Sequence, residues 1–173
     1  MIKRLLMFDR DGTLNAKGKE HYVFERKDFE VYRDAAAFLT FAHRKGYKLA
    51  VITNQQGIAK GIYTQRHVVK LHEDLCRLTQ IPIKDFQIYV CPHLENSCSC
   101  RKPKPELLQR CLSDFKVHRE DALYIGDSLE DLQAATRANI DFIRVDRDSV
   151  STNEENQVAK RVISSLSELF QVL

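Results

Sequence analysis

Short apolar runs alternate with amphipathic segments along the whole chain, and this alternation restricts the possible folds more than any other feature. The apolar runs predict strands at residues 4–8, 48–53, 86–90, 122–125 and 142–145. The amphipathic segments predict helices at residues 35–45, 65–78, 106–114, 129–138 and 157–170, with a surface loop at residues 147–156. Strands separated by helices pair in parallel, so we predict an α/β fold with a three-layer, doubly wound, mostly parallel sheet.

Length and composition are those of an ordinary soluble globular protein and give little support for nucleic-acid or membrane binding. The 173 residues suit one domain, and we expect residues 1–173 to form a single unit. The net charge is only +3, with basic residues scattered among acidic ones, which argues against a nucleic-acid partner. No run approaches the roughly 18 apolar residues of a membrane span, and the N-terminus carries no cleavable apolar segment. We therefore expect a cytoplasmic protein, acting as a monomer.

The first predicted strand ends in two carboxylates, Asp9 and Asp11, followed by Gly12 and Thr13. Open α/β sheets bind ligands at the carboxyl ends of their strands, so these acidic groups are expected in a ligand site. Two close carboxylates repel each other unless a cation lies between them, and oxygen ligands favour Mg²⁺. Asp9 is then a candidate nucleophile that forms an aspartyl-phosphate. From this fragment alone, a structural Asp-Gly turn or a calcium loop is the alternative.

Three further polar groups are expected at the same edge of the sheet. Thr53 and Asn54 close the second strand, and their side chains and backbone N–H groups are candidates for holding a phosphate or for capping a turn. Lys102 follows the third strand and precedes two prolines that stiffen the backbone. There it would neutralise a phosphoryl group or remain solvated. Asp127 follows the fourth strand, and Asp131 lies on the first turn of the helix after it. Either carboxylate is a candidate site residue or only a charge at the helix N-terminus.

These groups, in this order, resemble the motifs of the haloacid dehalogenase superfamily of phosphotransferases over nearly the whole chain. The resemblance implies that Asp9 attacks phosphorus and that Asp11 acts first as general acid and then as general base. It also implies that Thr53 and Lys102 bind the transferred phosphoryl group. Asp127 would hold Mg²⁺ together with Asp9 and the backbone carbonyl of Asp11. Phosphoglucomutase relatives share the first motif, so the motif alone does not exclude a mutase.

A second constellation, at residues 91–100, combines soft metal ligands. Cys91, His93, Cys98 and Cys100 form a Cys₃His set that suits tetrahedral Zn²⁺. A complete four-ligand set favours a structural site, while free thiols or a redox pair are the alternatives. The loop ends one residue before Lys102, so a bound zinc ion would fix the direction of that segment. Five unevenly spaced cysteines otherwise suit thiols better than a disulfide framework.

The two constellations together resemble the histidinol-phosphatase and heptose-bisphosphatase branch of the superfamily. The matching segments are Thr53-Asn54-Gln55 and Cys91-x-His93…Cys98-x-Cys100-Arg101-Lys102-Pro103. Residues 56–61 look most like the D-glycero-D-manno-heptose 1,7-bisphosphate 7-phosphatases, which serve lipopolysaccharide core precursor synthesis. The short zinc loop is closer to the histidinol-phosphate enzymes of histidine biosynthesis, which are the alternative. A non-catalytic, zinc-stabilised binding module is a third interpretation, from a different class.

The spacing of the motifs leaves no room for a cap domain. Residues 13–53 hold one loop and one helix, and residues 53–102 hold a helix, a strand and the zinc loop. We therefore predict a capless phosphomonoesterase with an open site for a small-molecule phosphate ester. Arg101 is a candidate for binding a second, non-reacting phosphate of that substrate, a surface salt bridge being the alternative.

Overall fold

The computed structural model describes residues 4–18, 22–147, 159 and 161–172. Its strands are β1 (Leu5–Phe8), β2 (Lys48–Asn54), β3 (Phe86–Cys91), β4 (Ala122–Gly126), β5 (Asp141–Val145) and β6 (Val162–Ile163). The helices are α1 (Arg33–Arg44), α2 (Gln65–Thr79), α3 (Glu106–Phe115) and α4 (Leu129–Ala138). Short 3₁₀ helices lie at Arg26–Asp28, Ile83–Asp85, Arg119–Asp121 and Leu166–Gln171.

The strands form one sheet in the order β3-β2-β1-β4-β5-β6, and every pair in it is parallel. The predicted α/β fold is confirmed, with a sheet that is wholly rather than mostly parallel. β1 occupies the centre, with Met7 opposite Ala50 of β2 on one side and Tyr124 of β4 on the other. The order reverses at β1, so the chain leaves the sheet at a topological switch point directly before Asp9.

Helices cover both faces of the sheet, and this explains why the central strands are apolar throughout. Leu6 and Phe8 of β1 point into a core that α1, α2 and the last 3₁₀ helix cover. Leu5 and Met7 point into the opposite core, against α3 and α4. All four side chains are fully buried, which is the pattern expected of a strand packed on both sides. Helices therefore support the sheet, including its carboxyl edge, from both faces.

The prediction of one long helix over residues 157–170 is wrong for the part that the structure describes. Val162–Ile163 instead form β6 beside β5, and Leu166–Gln171 form a 3₁₀ helix. Two β-branched residues favour the extended state, and the unpaired edge of β5 supplies the hydrogen-bond partners. Ser165 then starts the 3₁₀ helix, with its hydroxyl accepting from Ser167 N–H (3.1 Å). Residues 157, 158 and 160 of that predicted helix, and residues 148–156 of the predicted loop, lie outside the described residues.

Between β1 and β2 the described residues contain one 3₁₀ turn and α1, and between β2 and β3 they contain α2 and a second turn. Within the described ranges these two connections contain no further helix or named strand. Among the described residues, no helix has the length and apolar character required to cross a membrane.

Candidate active site

A buried lysine connects three of the elements that end at the carboxyl edge of the sheet. The Lys102 ammonium donates to Asp9 Oδ1 and to Asp131 Oδ1, each at 2.6 Å, and to the backbone carbonyl of Ile52 (3.1 Å). The Tyr124 hydroxyl lies 3.0 Å from the same nitrogen and donates to Asp131 Oδ1 (2.6 Å). Both carboxylate contacts are short, as charge-assisted hydrogen bonds are. Asp9 itself is fixed through its backbone N–H, which donates to the Ile125 carbonyl (2.8 Å).

The pKa values of the two carboxylates that share Lys102 are shifted in opposite directions. Burial raises the pKa of Asp9 well above its usual value, and although Lys102 opposes this shift, the charges of Asp131 and Asp127 add to it. Burial would also raise the pKa of Asp131, but Lys102 and the hydrogen bonds from Ser128 and Tyr124 outweigh it and lower that pKa. Asp131 is therefore the main counter-charge of Lys102. For Asp9, the protein partners offset the cost of burying the ionised carboxylate only in part.

Asp127 completes a cluster of carboxylates with Asp9 and Asp131, in which one oxygen of each lies within 4.8 Å of the others. Burial, followed by the charge of Asp131, raises the pKa of Asp127, although Lys17 opposes the shift. The Lys17 ammonium lies 2.5 Å from Asp127 Oδ2, but half of the Lys17 side chain is exposed. At Gly12, with φ at +94°, a Cβ would lie only 2.4 Å from Asp127 Oδ2. The glycine therefore lets the first loop approach this carboxylate closely.

The carboxylate cluster fits a hard divalent cation such as Mg²⁺. Both oxygens of Asp131 already accept hydrogen bonds, Oδ1 from Lys102 and Tyr124, and Oδ2 from the Ser128 hydroxyl (2.6 Å) and N–H (3.1 Å). The carboxylates of Asp9 and Asp127 accept fewer hydrogen bonds, and the pKa of each is raised. These two residues therefore have the capacity to bind a cation. Ser128 begins α4 as its N-cap and also restrains Asp131.

The Asp11 carboxylate is not part of this cluster, and three other residues hold it in place. Arg10, Asn15 and Gln55 all donate hydrogen bonds to its carboxylate. Sequence reasoning assigned no role to Arg10. The available signal is the position of a basic residue between two acidic ones at the end of a buried strand.

The end of β2 brings Thr53 and Asn54 to this edge in different roles. Thr53 is buried, and its hydroxyl accepts from Gln55 Nε2 (2.8 Å). The Asn54 amide pairs with the backbone of Lys102, donating to its carbonyl and accepting from its N–H, both at 3.1 Å. In this structure the Asn54 side chain therefore holds the lysine segment in place. That paired contact is not visible in the sequence, since the two residues are 48 positions apart.

Cys91, His93, Cys98 and Cys100 lie together, with their ligand atoms within 4.8 Å of one another. The Cys91 and Cys98 sulfurs are 3.6 Å apart, and His93 Nδ1 lies 3.4 Å from the Cys100 sulfur. Bonds of about 2.3 Å around a tetrahedral zinc ion give ligand separations of roughly this size. The other cysteines, Cys76 and Cys111, are buried thiols outside this cluster.

This cysteine-histidine cluster is connected directly to the lysine segment. The Arg101 backbone N–H donates to the Cys98 sulfur at 3.3 Å, and Lys102 follows. The Arg101 side chain is half-buried, and its Nη1 atom is buried without a hydrogen-bond partner among the described residues. An unpaired buried donor of this kind suits an anionic ligand.

A cleft of about 770 Å³ opens beside Asp127, a volume in the range of small-molecule sites. Its walls include Gly12 and Lys17 from the first loop and Pro103, the neighbour of Lys102. The cleft thus adjoins the carboxylate cluster from the side of β5.

The sequence matches the model of the haloacid dehalogenase-like hydrolases over residues 12–145. The chain belongs to this family. The resemblance predicted from the motifs is confirmed.

Curated relatives of this hydrolase carry names from one phosphatase branch. A D-glycero-alpha-D-manno-heptose-1,7-bisphosphate 7-phosphatase from Campylobacter jejuni is 36% identical, covering 81% of this chain and 80% of the relative. A D-glycero-beta-D-manno-heptose-1,7-bisphosphate 7-phosphatase from Photorhabdus laumondii is 34% identical over 95% of this chain and 92% of the relative. The D,D-heptose 1,7-bisphosphate phosphatase from B. bronchiseptica, solved with magnesium and phosphate, superposes with a TM-score of 0.83 at 25% identity, covering 98% of this chain and 99% of that one. The predicted phosphatase branch is confirmed by these similarities.

Proposed function

We propose that this hydrolase is a magnesium-dependent phosphomonoesterase that works through a phospho-aspartate at Asp9. The observation that carries the proposal is the position of Asp9, which contacts Lys102 at 2.6 Å and lies in one carboxylate cluster with Asp127. A nucleophilic carboxylate, a lysine and a cation site at one point are what the charge of a transferring phosphoryl group requires.

Each site residue has a role in this mechanism. The Asp9 carboxylate attacks phosphorus, while Lys102 and the Thr53 hydroxyl neutralise and orient the phosphoryl oxygens. Asp11 donates a proton to the leaving oxygen and later accepts one from water. The Asn54 side chain holds the Lys102 backbone, and the Asn54 backbone N–H group donates to the phosphate. When bound by Asp9, Asp127 and the backbone carbonyl of Asp11, Mg²⁺ would add positive charge beside the phosphoryl group.

The zinc-ligand cluster acts as a scaffold for the lysine segment in this proposal. Cys91, His93, Cys98 and Cys100 would provide four ligands to Zn²⁺ and leave no position for water. The hydrogen bond from Arg101 N–H to the Cys98 sulfur transmits the geometry of the loop to the neighbouring lysine. Zinc would therefore contribute through position and stability, with no part in the chemical steps.

D-glycero-D-manno-heptose 1,7-bisphosphate, cleaved at the 7-phosphate, is the substrate that we infer. The names of the relatives support it, and they include both an alpha and a beta form of the sugar. The unpaired Nη1 of Arg101 supports binding of the second, non-reacting phosphate. The protein would act as a single-domain monomer in the cytoplasm, in the synthesis of lipopolysaccharide core precursors. Histidinol phosphate is the comparison substrate, because the zinc loop is short.

The test is a panel of phosphate esters assayed with the purified protein. We expect the highest kcat/KM for one anomer of the heptose bisphosphate, and activity that is lost when Mg²⁺ is omitted and restored when it is added back. Asp9→Asn should abolish turnover, whereas Asp28→Asn, an exposed carboxylate in a 3₁₀ turn, should leave it unchanged. A faster reaction with histidinol phosphate would replace the substrate. No turnover above the Asp9→Asn background with any ester would indicate a binding module instead.

A further inference from the structure

Arg10 lies between the two aspartates of the first loop and is almost completely buried, with 1% of its surface exposed. A guanidinium in such a place is costly unless its charge is paired and its N–H groups have acceptors. Here the guanidinium forms an ion pair with Asp11, donating from Nε to Oδ1 (3.1 Å) and from Nη2 to both carboxylate oxygens (3.0 and 2.8 Å). Nη2 also donates to the Val23 carbonyl (2.8 Å), which ties this ion pair to a separate stretch of backbone.

Two amide side chains hold the Asp11 carboxylate from other directions. Asn15 Nδ2 donates to Oδ1 and Gln55 Nε2 donates to Oδ2, both at 2.9 Å. The Tyr63 hydroxyl donates to Gln55 Oε1 (2.6 Å), and this contact sets which way the amide faces. Gln55 Nε2 also reaches the Thr53 hydroxyl at 2.8 Å. The orientation of Asp11 is thus linked to a group proposed to bind the phosphoryl oxygens.

We propose that Arg10 is a positioning residue for the proton transfers of Asp11, an inference that rests on the phosphatase mechanism proposed above. In the first step, an Asp9 oxygen bonds to phosphorus, the bond from phosphorus to the leaving oxygen breaks, and the Asp11 proton goes to that oxygen. In the second step, a water oxygen bonds to phosphorus, the bond from Asp9 to phosphorus breaks, and a water proton goes to Asp11. Each transfer requires the Asp11 carboxyl at a fixed distance from an oxygen on phosphorus.

The geometry explains why an arginine is needed in this position. A planar guanidinium offers two parallel donors to a carboxylate and fixes both its distance and its plane, whereas an ammonium acts as a point charge. Arg10→Lys keeps the charge but loses the fork, so it should separate electrostatic compensation from orientation. Asp9, Lys102 and Asp127 keep their own contacts in this variant, since none of the hydrogen bonds described for them involves Arg10.

Two esters with different leaving groups test the proposal. The alcohol of a sugar phosphate needs a proton as it leaves, whereas p-nitrophenolate leaves without one. For Arg10→Lys we expect kcat/KM to fall about 100-fold with a sugar phosphate that the unaltered protein hydrolyses, and less than about threefold with p-nitrophenyl phosphate. We also expect kcat for the aryl ester to fall, because hydrolysis of phospho-Asp9 still needs Asp11 as base. Asp11→Asn should reproduce this pattern.

Two further variants distinguish positioning from general destabilisation. Leu39→Ala, at a fully buried core position of α1, should lower Tm while changing kcat/KM for both esters by the same factor. Arg10→Gln, which is neutral but retains a donor, provides a second test if the lysine variant does not fold. Equal losses of kcat/KM with both esters in the folded Arg10 variants would overturn the positioning role. Absence of turnover in the unaltered protein would instead remove the phosphatase mechanism itself, so the two failures are distinguishable.

Discussion

The two carboxylates that share Lys102 should respond in opposite ways to loss of charge. Asp131→Asn removes the main counter-charge of a buried ammonium, and its new amide group must face either Lys102 and Tyr124 or the two donors of Ser128. Removing one partner of a buried ion pair costs about 3–5 kcal/mol of unfolding free energy. For a chain of this length that corresponds to a fall in Tm of about 6–20 °C.

Asp9→Asn should leave the unfolding free energy within about 1 kcal/mol of the original value, or raise it. Burial and the neighbouring carboxylates already raise the pKa of Asp9, so its charge opposes folding. An asparagine there can still accept the hydrogen bond from Lys102 through its carbonyl oxygen. The native residue would thus be retained for chemistry at a cost in stability.

Linkage gives the direction of the pH dependence for the same pair. The lowered pKa of Asp131 means that its contribution to stability is present above the unfolded value, near about 4, and is lost as pH falls through the folded value. The raised pKa of Asp9 has the opposite effect. Between about pH 4 and the folded pKa, Asp9 ionises in the unfolded chain but stays protonated in the folded protein, so the unfolding free energy falls as pH rises. The stability of Asp9→Asn relative to the original protein should therefore increase as pH rises above 4 to that value.

Urea and thermal unfolding at pH 7 without added Mg²⁺ measure both variants under conditions where the pair alone is tested. Asp28→Asn, in an exposed turn, is the control for loss of an acidic residue and should change neither the unfolding free energy nor the Tm. Similar losses in Asp9→Asn and Asp131→Asn would refute the assignment of Asp131 as the dominant counter-charge. Addition of Mg²⁺ should stabilise the original protein more than Asp9→Asn, since that variant lacks a proposed ligand.

Three other substitutions test separate parts of the structure. Cys98→Ser should lower both the zinc content, measured by elemental analysis, and the Tm, whereas Cys111→Ser should leave the zinc content unchanged. His72 is buried, and its pKa is lowered, mainly by burial. The unfolding free energy should therefore fall as pH drops from about 6.5 to the folded pKa of His72, by up to about 1.4 kcal/mol per pH unit. Urea titrations at several pH values should show this slope in the original protein and its loss in His72→Gln. Gly12→Ala should weaken Mg²⁺ binding in calorimetry, because its Cβ would contact Asp127 at 2.4 Å and the φ of +94° disfavours a side chain; unchanged affinity would contradict this account.

The sheet could be predicted from the sequence because its strands are buried on both sides. Leu5–Phe8 and Ala122–Gly126 are buried at every position, and such apolar runs stand out between amphipathic helices. Val162–Ile163 could not be recognised in this way. A strand of two residues has no periodicity of its own, and it exists because the edge of β5 offers hydrogen-bond partners.

The location of the candidate site was also predictable, but its side-chain pairing was not. In a parallel sheet, residues that follow successive strands must meet at one edge, so Asp9, Thr53 and Asp127 could be grouped from their positions alone. Which side chain contacts which depends on rotamers and on competing partners. For this reason the sequence did not reveal that Asp11 binds Arg10, or that Asp131 takes the place beside Lys102.

The position of Lys102 offers a physical reason for the proposed zinc loop to lie next to the proposed active site in the sequence. The lysine lies in a stretch without helix or strand, where ordering the backbone costs about 1–2 kcal/mol per residue. Asn54 restrains its backbone, Asp131 restrains its ammonium, and Cys98 restrains the residue before it. The first two contacts come from the sheet and α4, and neither fixes the path by which the chain arrives. A closed zinc loop would fix that path, so loss of zinc should misplace the lysine before it unfolds the sheet.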